Sequence, residues 1–157
     1  MSGKNLEIPG HVSLAPGAGG LQKVLVKTAW SSAEIYLHGA HVTGFQKKGE
    51  PPLLFLSAAS EFTAGKPVRG GVPVIFPWFG AREGLPFHAF ARITTWELKE
   101  TSLLPNGAVT LRFILPDAEN FHAEYLVTVA ESLTLELDVG NTGDMDATFE
   151  ACLHTYF

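Results

Sequence analysis

Strict alternation of apolar and polar residues is the feature that most constrains how this chain can fold. From residue 133 to residue 139, leucine or valine occupies every odd position, and threonine, glutamate or aspartate occupies every even one. The stretches 109–115 and 125–129 show the same period of two. Successive side chains of a β-strand point to opposite faces, so the pattern predicts strands that are buried on one side.

Shorter stretches add to this prediction of an all-β chain. Further candidate strands are residues 22–27, 33–37, 41–47, 53–56, 93–100 and 147–154, and residues 57–62 could form one helical turn. Turn-forming residues separate them, as at 48–52, 105–107 and 141–144. No long stretch has the spacing of an amphipathic helix. The 157 residues therefore predict a single domain, 1–157, built as an antiparallel β-sandwich or barrel.

Composition and charge narrow the classes of function. The chain is 46% hydrophobic and 17% charged, so it has enough apolar surface to bury a core. A net charge of −5 argues against a nucleic-acid surface, although a locally positive pocket could still bind a small anion. Cys152 is the only cysteine, and neither a secretory signal nor a membrane-spanning run is visible. We therefore expect a cytoplasmic protein without a membrane, nucleic-acid or protein partner.

Three stretches differ from ordinary strand sequence. Residues 67–80 combine Arg69, a Gly70-Gly71 pair and the aromatic Trp78-Phe79 pair, which could offer flat apolar faces to a sugar. Two glycines allow close backbone approach or positive φ. Taken alone, this stretch is more typical of a stiff loop with buried aromatic residues.

The other two stretches contain histidines. His88 and Arg92 lie four residues apart, where they could bind a hydroxyl and an anion together, and His154 lies in an apolar strand near Phe157. Taken alone, His88 and Arg92 are more typical of a surface histidine and a solvated arginine, and His154 is more typical of a histidine buried in the core. His38 and His41 are three apart, but without a second ligand pair they predict surface residues and no metal site. No cofactor-binding fingerprint is present.

Taken together and in order, these motifs resemble the hexose-6-phosphate mutarotases, also called glucose-6-phosphate 1-epimerases, of the aldose 1-epimerase superfamily. The resemblance rests on Leu37-His38-Gly39-Ala40-His41-Val42, Leu53-Leu54-Phe55-Leu56-Ser57, Arg69-Gly70-Gly71-Val72-Pro73, Pro77-Trp78-Phe79-Gly80, the stretch from His88 to Arg92 with Trp96-Glu97-Leu98, and the stretch from Leu153 to Phe157. It covers the chain from about Trp30 onward. It implies the galactose mutarotase-like β-sandwich, of which this sequence would be about the first half.

The resemblance also implies a reaction, the interconversion of the α and β anomers of a hexose 6-phosphate without metal or cofactor. His154 matches the general acid that protonates the ring oxygen, and His88 matches a second histidine near the same atom. Arg69 and Arg92 match arginines that would bind the 6-phosphate, with forked donors that suit this group. Trp78 and Phe79 would then line the pocket.

Two departures from the family pattern qualify these expectations. Ala89 stands where the family usually has glycine after the second histidine, so the backbone could differ there. The family's catalytic base is a glutamate far toward the carboxyl end, so we expect this chain to be an incomplete, inactive piece. Glu150 is not that base, because four residues along a strand separate it from His154 by ~13 Å. A non-catalytic sugar-phosphate-binding module and a structural fragment without ligand remain alternatives.

Overall fold

The alternating stretches form antiparallel strands in the computed structural model, which describes residues 5–157. The strands are β1 (Val12–Pro16), β2 (Gln22–Lys27), β3 (Ser31–Tyr36), β4 (His41–Lys47), β5 (Val74–Ile75), β6 (Glu97–Leu103), β7 (Val109–Ile114), β8 (Phe121–Val129), β9 (Leu133–Asn141) and β10 (Cys152–Leu153). Two 3₁₀ turns lie at Ala18–Gly20 and Ala91–Ile93. No α-helix occurs in this part of the chain.

Each large sheet is a meander of consecutive strands. The first sheet has the order β1-β2-β3-β4 and the second has the order β6-β7-β8-β9, while β5, which lies between them in sequence, pairs with the last strand, β10, in a two-stranded sheet. The inward faces of the two large sheets share one apolar core, in which Val24 and Ile35 of the first sheet join Phe113 and Val127 of the second. The prediction of an all-β antiparallel sandwich is confirmed.

The last long strand illustrates how the alternating pattern works. From residue 133 to residue 139, the odd-numbered residues of β9 pack against the core and the even-numbered residues are exposed, as the sequence predicts. The inward side chains are only half-buried, however. Within residues 5–157, β9 pairs with β8 alone, so one side of its apolar row has no neighbouring strand.

The short candidate strands were predicted less well. Residues 53–56 form no strand, and only Leu56 makes an isolated bridge, to Gly70. Residues 57–62 form a turn, closed by the Ser60 N–H bond to the Ser57 carbonyl at 3.1 Å, and no helix. In the stretch 147–154, only β10 is regular.

Two other differences between the predicted and the observed strands have local causes. The predicted strand 93–100 begins only at Glu97 because the 3₁₀ turn Ala91–Ile93 occupies its start. Strand β1 was missed, because Val12–Pro16 ends in a proline and has only one fully buried residue.

Two long loops flank β5 and converge on one side of the sandwich. The first loop connects β4 to β5 and contains Gly70 and Gly71, whose φ angles are +109° and +61°. A Cβ on Gly71 would lie 2.3 Å from the Val42 carbonyl oxygen, so the close approach that glycine permits here is to strand β4. The second loop connects β5 to β6. Among the described residues, no helix is long and apolar enough to cross a membrane.

The core contains one polar group whose cost can be measured. The Tyr125 side chain is fully buried, and its hydroxyl has no hydrogen-bond partner among the described residues. Burial raises the pKa of this phenol. We predict that Tyr125→Phe raises the free energy of unfolding by about 1 kcal/mol, because it removes a buried, unsatisfied hydroxyl.

A matched variant makes the Tyr125 test specific. The Tyr36 hydroxyl is also in a buried side chain, but it accepts a 3.0 Å hydrogen bond from the Ala18 N–H. Tyr36→Phe should therefore lower the stability in the same urea titration. A loss of stability in both variants would contradict the prediction.

Candidate functional site

Strand β10 places His154 beside the loops that flank β5. Residues Cys152 and Leu153 pair with Ile75 and Val74, and the His154 N–H then donates to the Pro73 carbonyl at 3.0 Å. His88 lies in the second loop. The ring centroids of His88 and His154 are 6.3 Å apart. Two histidines separated by 66 positions in the sequence are therefore neighbours in the fold.

The His88 ring is held on three sides. It lies between Phe79 and Phe87, with ring centroids 4.3 Å and 4.0 Å from its own. The Gly80 N–H donates to His88 Nδ1 at 2.8 Å, and the His88 N–H donates back to the Gly80 carbonyl at 2.8 Å. Because Nδ1 accepts a hydrogen bond, the neutral ring carries its proton on Nε2. Burial, and then the positive charges of Arg92 and His154, lowers the pKa of His88.

The backbone at His88 and Ala89 is left-handed, with φ angles of +62° and +57°. This conformation costs a residue with a side chain about 1–2 kcal/mol. The fully buried Ala89 adopts it nonetheless, held by its N–H bond to the Pro86 carbonyl at 3.2 Å. Ala89 thus takes the positive φ that glycine would favour, although it has a side chain.

His154 is stacked against Tyr156, with ring centroids 4.7 Å apart and ring planes inclined by 30°. Its Nδ1 is buried without a hydrogen-bond partner among the described residues. Sequence reasoning missed Tyr156 and Phe87 as parts of the site. The period of two could have found Tyr156, since it lies two residues after His154 in extended chain. No comparable signal pointed to Phe87.

Two arginines give the site positive charge. The Arg92 Nη2 donates to the Phe87 carbonyl at 2.6 Å, while its Nε is buried and has no hydrogen-bond partner in the described part of the chain. Burial, and then the charge of Arg69, lowers the pKa of Arg92. The Arg69 side chain is exposed, but its backbone is fixed by Ser60, whose hydroxyl bonds both its carbonyl and its N–H. Neither guanidinium forms a salt bridge with any residue from 5 to 157.

Trp78 and Phe79 have different environments. Trp78 is 6% exposed, donates its Nε1–H to the Pro86 carbonyl at 3.1 Å and lies under the Arg82 guanidinium. Phe79 is 50% exposed and contacts the His88 ring. Phe79 is thus at the open side of the site, whereas Trp78 is buried. The roles of both as pocket walls stay predictions.

The prediction that His38 and His41 lie on the surface is wrong. They are 2% and 1% exposed, and their Nε2 atoms bond the carbonyls of Lys66 and Gly70 at 2.8 Å and 2.7 Å. Burial lowers the pKa of His41 to about 4, so its ring is neutral near pH 7. His41 has a structural role, since it fixes the loop that carries Arg69. No cluster of three or more metal-binding side chains occurs within residues 5–157.

Comparison with known proteins finds a matching family model and several relatives. A family model described as aldose 1-epimerase matches residues 22–157. An Escherichia coli (strain K12) protein named "Putative glucose-6-phosphate 1-epimerase" is 37% identical over 145 residues, and a Salmonella typhimurium protein of the same name is 34% identical. Each alignment covers 87% of this chain and 48% of the relative.

A solved structure extends the match to the fold. The crystal structure of a "putative mutarotase" from Salmonella typhimurium superposes with a TM-score of 0.77 at 30% identity, covering 85% of this chain and 48% of that one. The resemblance seen in the sequence motifs and the mutarotase-like fold are thereby confirmed. The chain spans about half the length of the curated relatives it matches.

The buried His41 predicts how stability depends on pH. Its pKa is about 4 in the folded chain and 6.5 in the absence of burial, so the unfolded chain binds more protons between these values. Its contribution is fully present above pH 6.5 and is lost as the pH falls toward 4. We expect this residue to lower the free energy of unfolding by about 3 kcal/mol between pH 7 and pH 4.

A variant separates the contribution of His41 to the pH dependence of stability from the contributions of the carboxylates. His41→Gln removes the titrating ring, so urea titrations from pH 7 to pH 4 should give a smaller loss of stability than in the parent chain. Parallel pH profiles for parent and variant would contradict the assignment.

Proposed function

Because the chain belongs to the aldose 1-epimerase family, we propose that the whole protein interconverts the α and β anomers of a hexose 6-phosphate, glucose 6-phosphate in particular. The observation that carries the proposal is the pairing of His88 and His154 at 6.3 Å beside Arg92, whose guanidinium has no salt-bridge partner within residues 5–157. One oxygen and one anion can be bound together at such a site.

The chemistry requires an acid and a base at the anomeric centre. The acid protonates the ring oxygen while the base removes the proton of the C1 hydroxyl, so the C1–O5 bond breaks and an open-chain aldehyde forms. After rotation about C1–C2, the reverse transfers close the ring on the other face. Proton gain and loss balance over one cycle, and no oxidation occurs.

The two histidines suit complementary roles in this reaction. A hydrogen-bonded oxygen lies about 4 Å from the centre of an imidazole ring, so an oxygen between the two rings can contact both. His88 is held neutral with its proton on Nε2, and it can donate a hydrogen bond to the ring oxygen. His154 is then the group that transfers a proton, as a histidine can near neutral pH.

The arginines account for preference for a phosphorylated sugar. Arg92 and Arg69 repel each other, and a dianion between them would remove that repulsion. Guanidinium groups bind phosphate oxygens through paired N–H donors. Glu150, the carboxylate nearest to His154 in sequence, already bonds Phe79 and Arg82. The proposal therefore assigns the base to a different carboxylate of the whole protein.

The role of His154 can be tested by anomer exchange. In the natural-length protein, His154→Ala should slow the exchange of glucose 6-phosphate anomers by about 10²–10⁴-fold, because a positioned acid is lost. Magnetization-transfer NMR measures the exchange directly. His122→Ala is the control, since His122 is exposed on strand β8. Full activity in His154→Ala would overturn the mechanism, and sugar-phosphate binding without any exchange would favour a binding module.

The proposed role of the arginines predicts that their loss affects the KM for a phosphorylated sugar more than the KM for an unphosphorylated one. Arg92→Ala should raise the KM for glucose 6-phosphate by about 10–100-fold, the loss expected for a hydrogen bond to a charged group. The KM for glucose should change little. Arg112→Ala is a matched control, because Arg112 bonds Glu124 on the second sheet. Equal effects on both sugars would contradict a phosphate contact.

A further inference from the structure

Glu150 connects the two segments that carry the paired histidines. We propose that Glu150 is a positioning residue, which holds the loop around Gly80 so that His88 presents its Nε2 proton toward the site. The catalytic consequence of this inference rests on the proposed function. Whether Glu150 controls the orientation of the His88 ring can be tested separately.

Within residues 5–157, the polar contacts of Glu150 are with one short segment of the second loop. Its Oε2 accepts a 2.9 Å hydrogen bond from the Phe79 N–H and lies 3.6 Å from the Arg82 guanidinium. Its own backbone N–H donates to the Pro77 carbonyl at 2.9 Å. The side chain and the backbone of one residue thus fix residues 77–82 relative to the segment of His154.

The next residue of the loop controls the imidazole. Gly80 follows Phe79 directly, and it bonds His88 through both its N–H and its carbonyl, each at 2.8 Å. The Phe79 ring also contacts the His88 ring, with centroids 4.3 Å apart. Since adjacent peptide units share one Cα, a fixed Phe79 N–H restricts the orientation of the Gly80 N–H. The hydrogen bond at Glu150 therefore acts on His88 Nδ1 through two consecutive peptide units.

The loop needs such an anchor because it has little burial of its own. Every residue from Ala81 to Phe87 is exposed, including the apolar Leu85. Segments with few buried contacts open locally at low free-energy cost. A carboxylate that joins this loop to the chain before β10 limits such opening where it would move His88 away from His154.

The charge of Glu150 and its hydrogen bond have opposite effects on His88. A nearby carboxylate favours the protonated ring, so removal of charge alone would lower the pKa of His88. The Gly80 N–H bond to Nδ1 favours the neutral ring, because protonation of Nδ1 breaks it, so release of this bond would raise the pKa. A rise in the pKa of His88 after loss of Glu150 would therefore indicate a positioning role, and a fall would indicate an effect of charge alone.

The test uses NMR on the uniformly ¹⁵N-labelled chain, which reports both the histidine ring nitrogens and the Gly80 amide. In Glu150→Ala, we expect the pKa of His88 to rise and the exchange of the Gly80 amide hydrogen to accelerate by up to about tenfold, as for loss of one hydrogen bond. Glu150→Gln keeps an acceptor for Phe79, so it should restore the Gly80 protection without raising the pKa. Arg82→Ala removes the cation but leaves the Phe79 bond, so it should resemble the parent chain.

An activity measurement completes the test in the natural-length protein. Glu150→Ala should lower kcat for anomer exchange by about tenfold with little change in KM, and Glu150→Gln should restore most of it. Unchanged Gly80 protection in Glu150→Ala, or a lowered pKa of His88 in both Glu150 variants, would overturn the positioning role. If the parent protein showed no anomer exchange, the NMR result would still decide this inference, and only the proposed function would fail.

Discussion

The site depends on backbone hydrogen bonds between residues 152–156 and residues 71–75. Strand β10 pairs with β5, the His154 N–H bonds the Pro73 carbonyl, and the Tyr156 N–H bonds the Gly71 carbonyl at 3.0 Å. Through this pairing, the segment that carries His154 becomes the neighbour of both long loops. The side chains of the site are therefore oriented by a small sheet whose position the two large sheets determine.

The arginine loop is in turn held by strand β4. The Val72 N–H bonds the Val42 carbonyl at 2.9 Å, and the buried His41 bonds the Gly70 carbonyl. Both contacts require the loop to approach β4 closely, which the positive φ angles of Gly70 and Gly71 allow. A neutral, buried imidazole thus contributes to the placement of an exposed guanidinium at Arg69, although the two side chains have opposite environments.

The sequence predicted the strands better than the loops, for a physical reason. The period of two in β7, β8 and β9 reflects burial of one face, which is encoded locally, and those strands lie where the pattern places them. The loops around β5 follow from single contacts, such as the Gly80 bond to His88 Nδ1, that no periodicity records. His41 and His38 were misjudged because a histidine that bonds a backbone carbonyl is buried without any partner visible in its own segment.

The site is rich in positively charged groups, whereas the whole chain has a negative net charge. The net charge is −5, yet Arg69, Arg92, His88 and His154 lie together with no salt bridge to a carboxylate within residues 5–157. Burial is the larger cause of the lowered pKa of His88 and of Arg92, and the neighbouring positive charges add to it in both cases. Under the proposed function, a sugar phosphate would supply the missing negative charge. The mutual repulsion of these cations would then favour a dianionic sugar over a neutral one, because only the charged ligand relieves it.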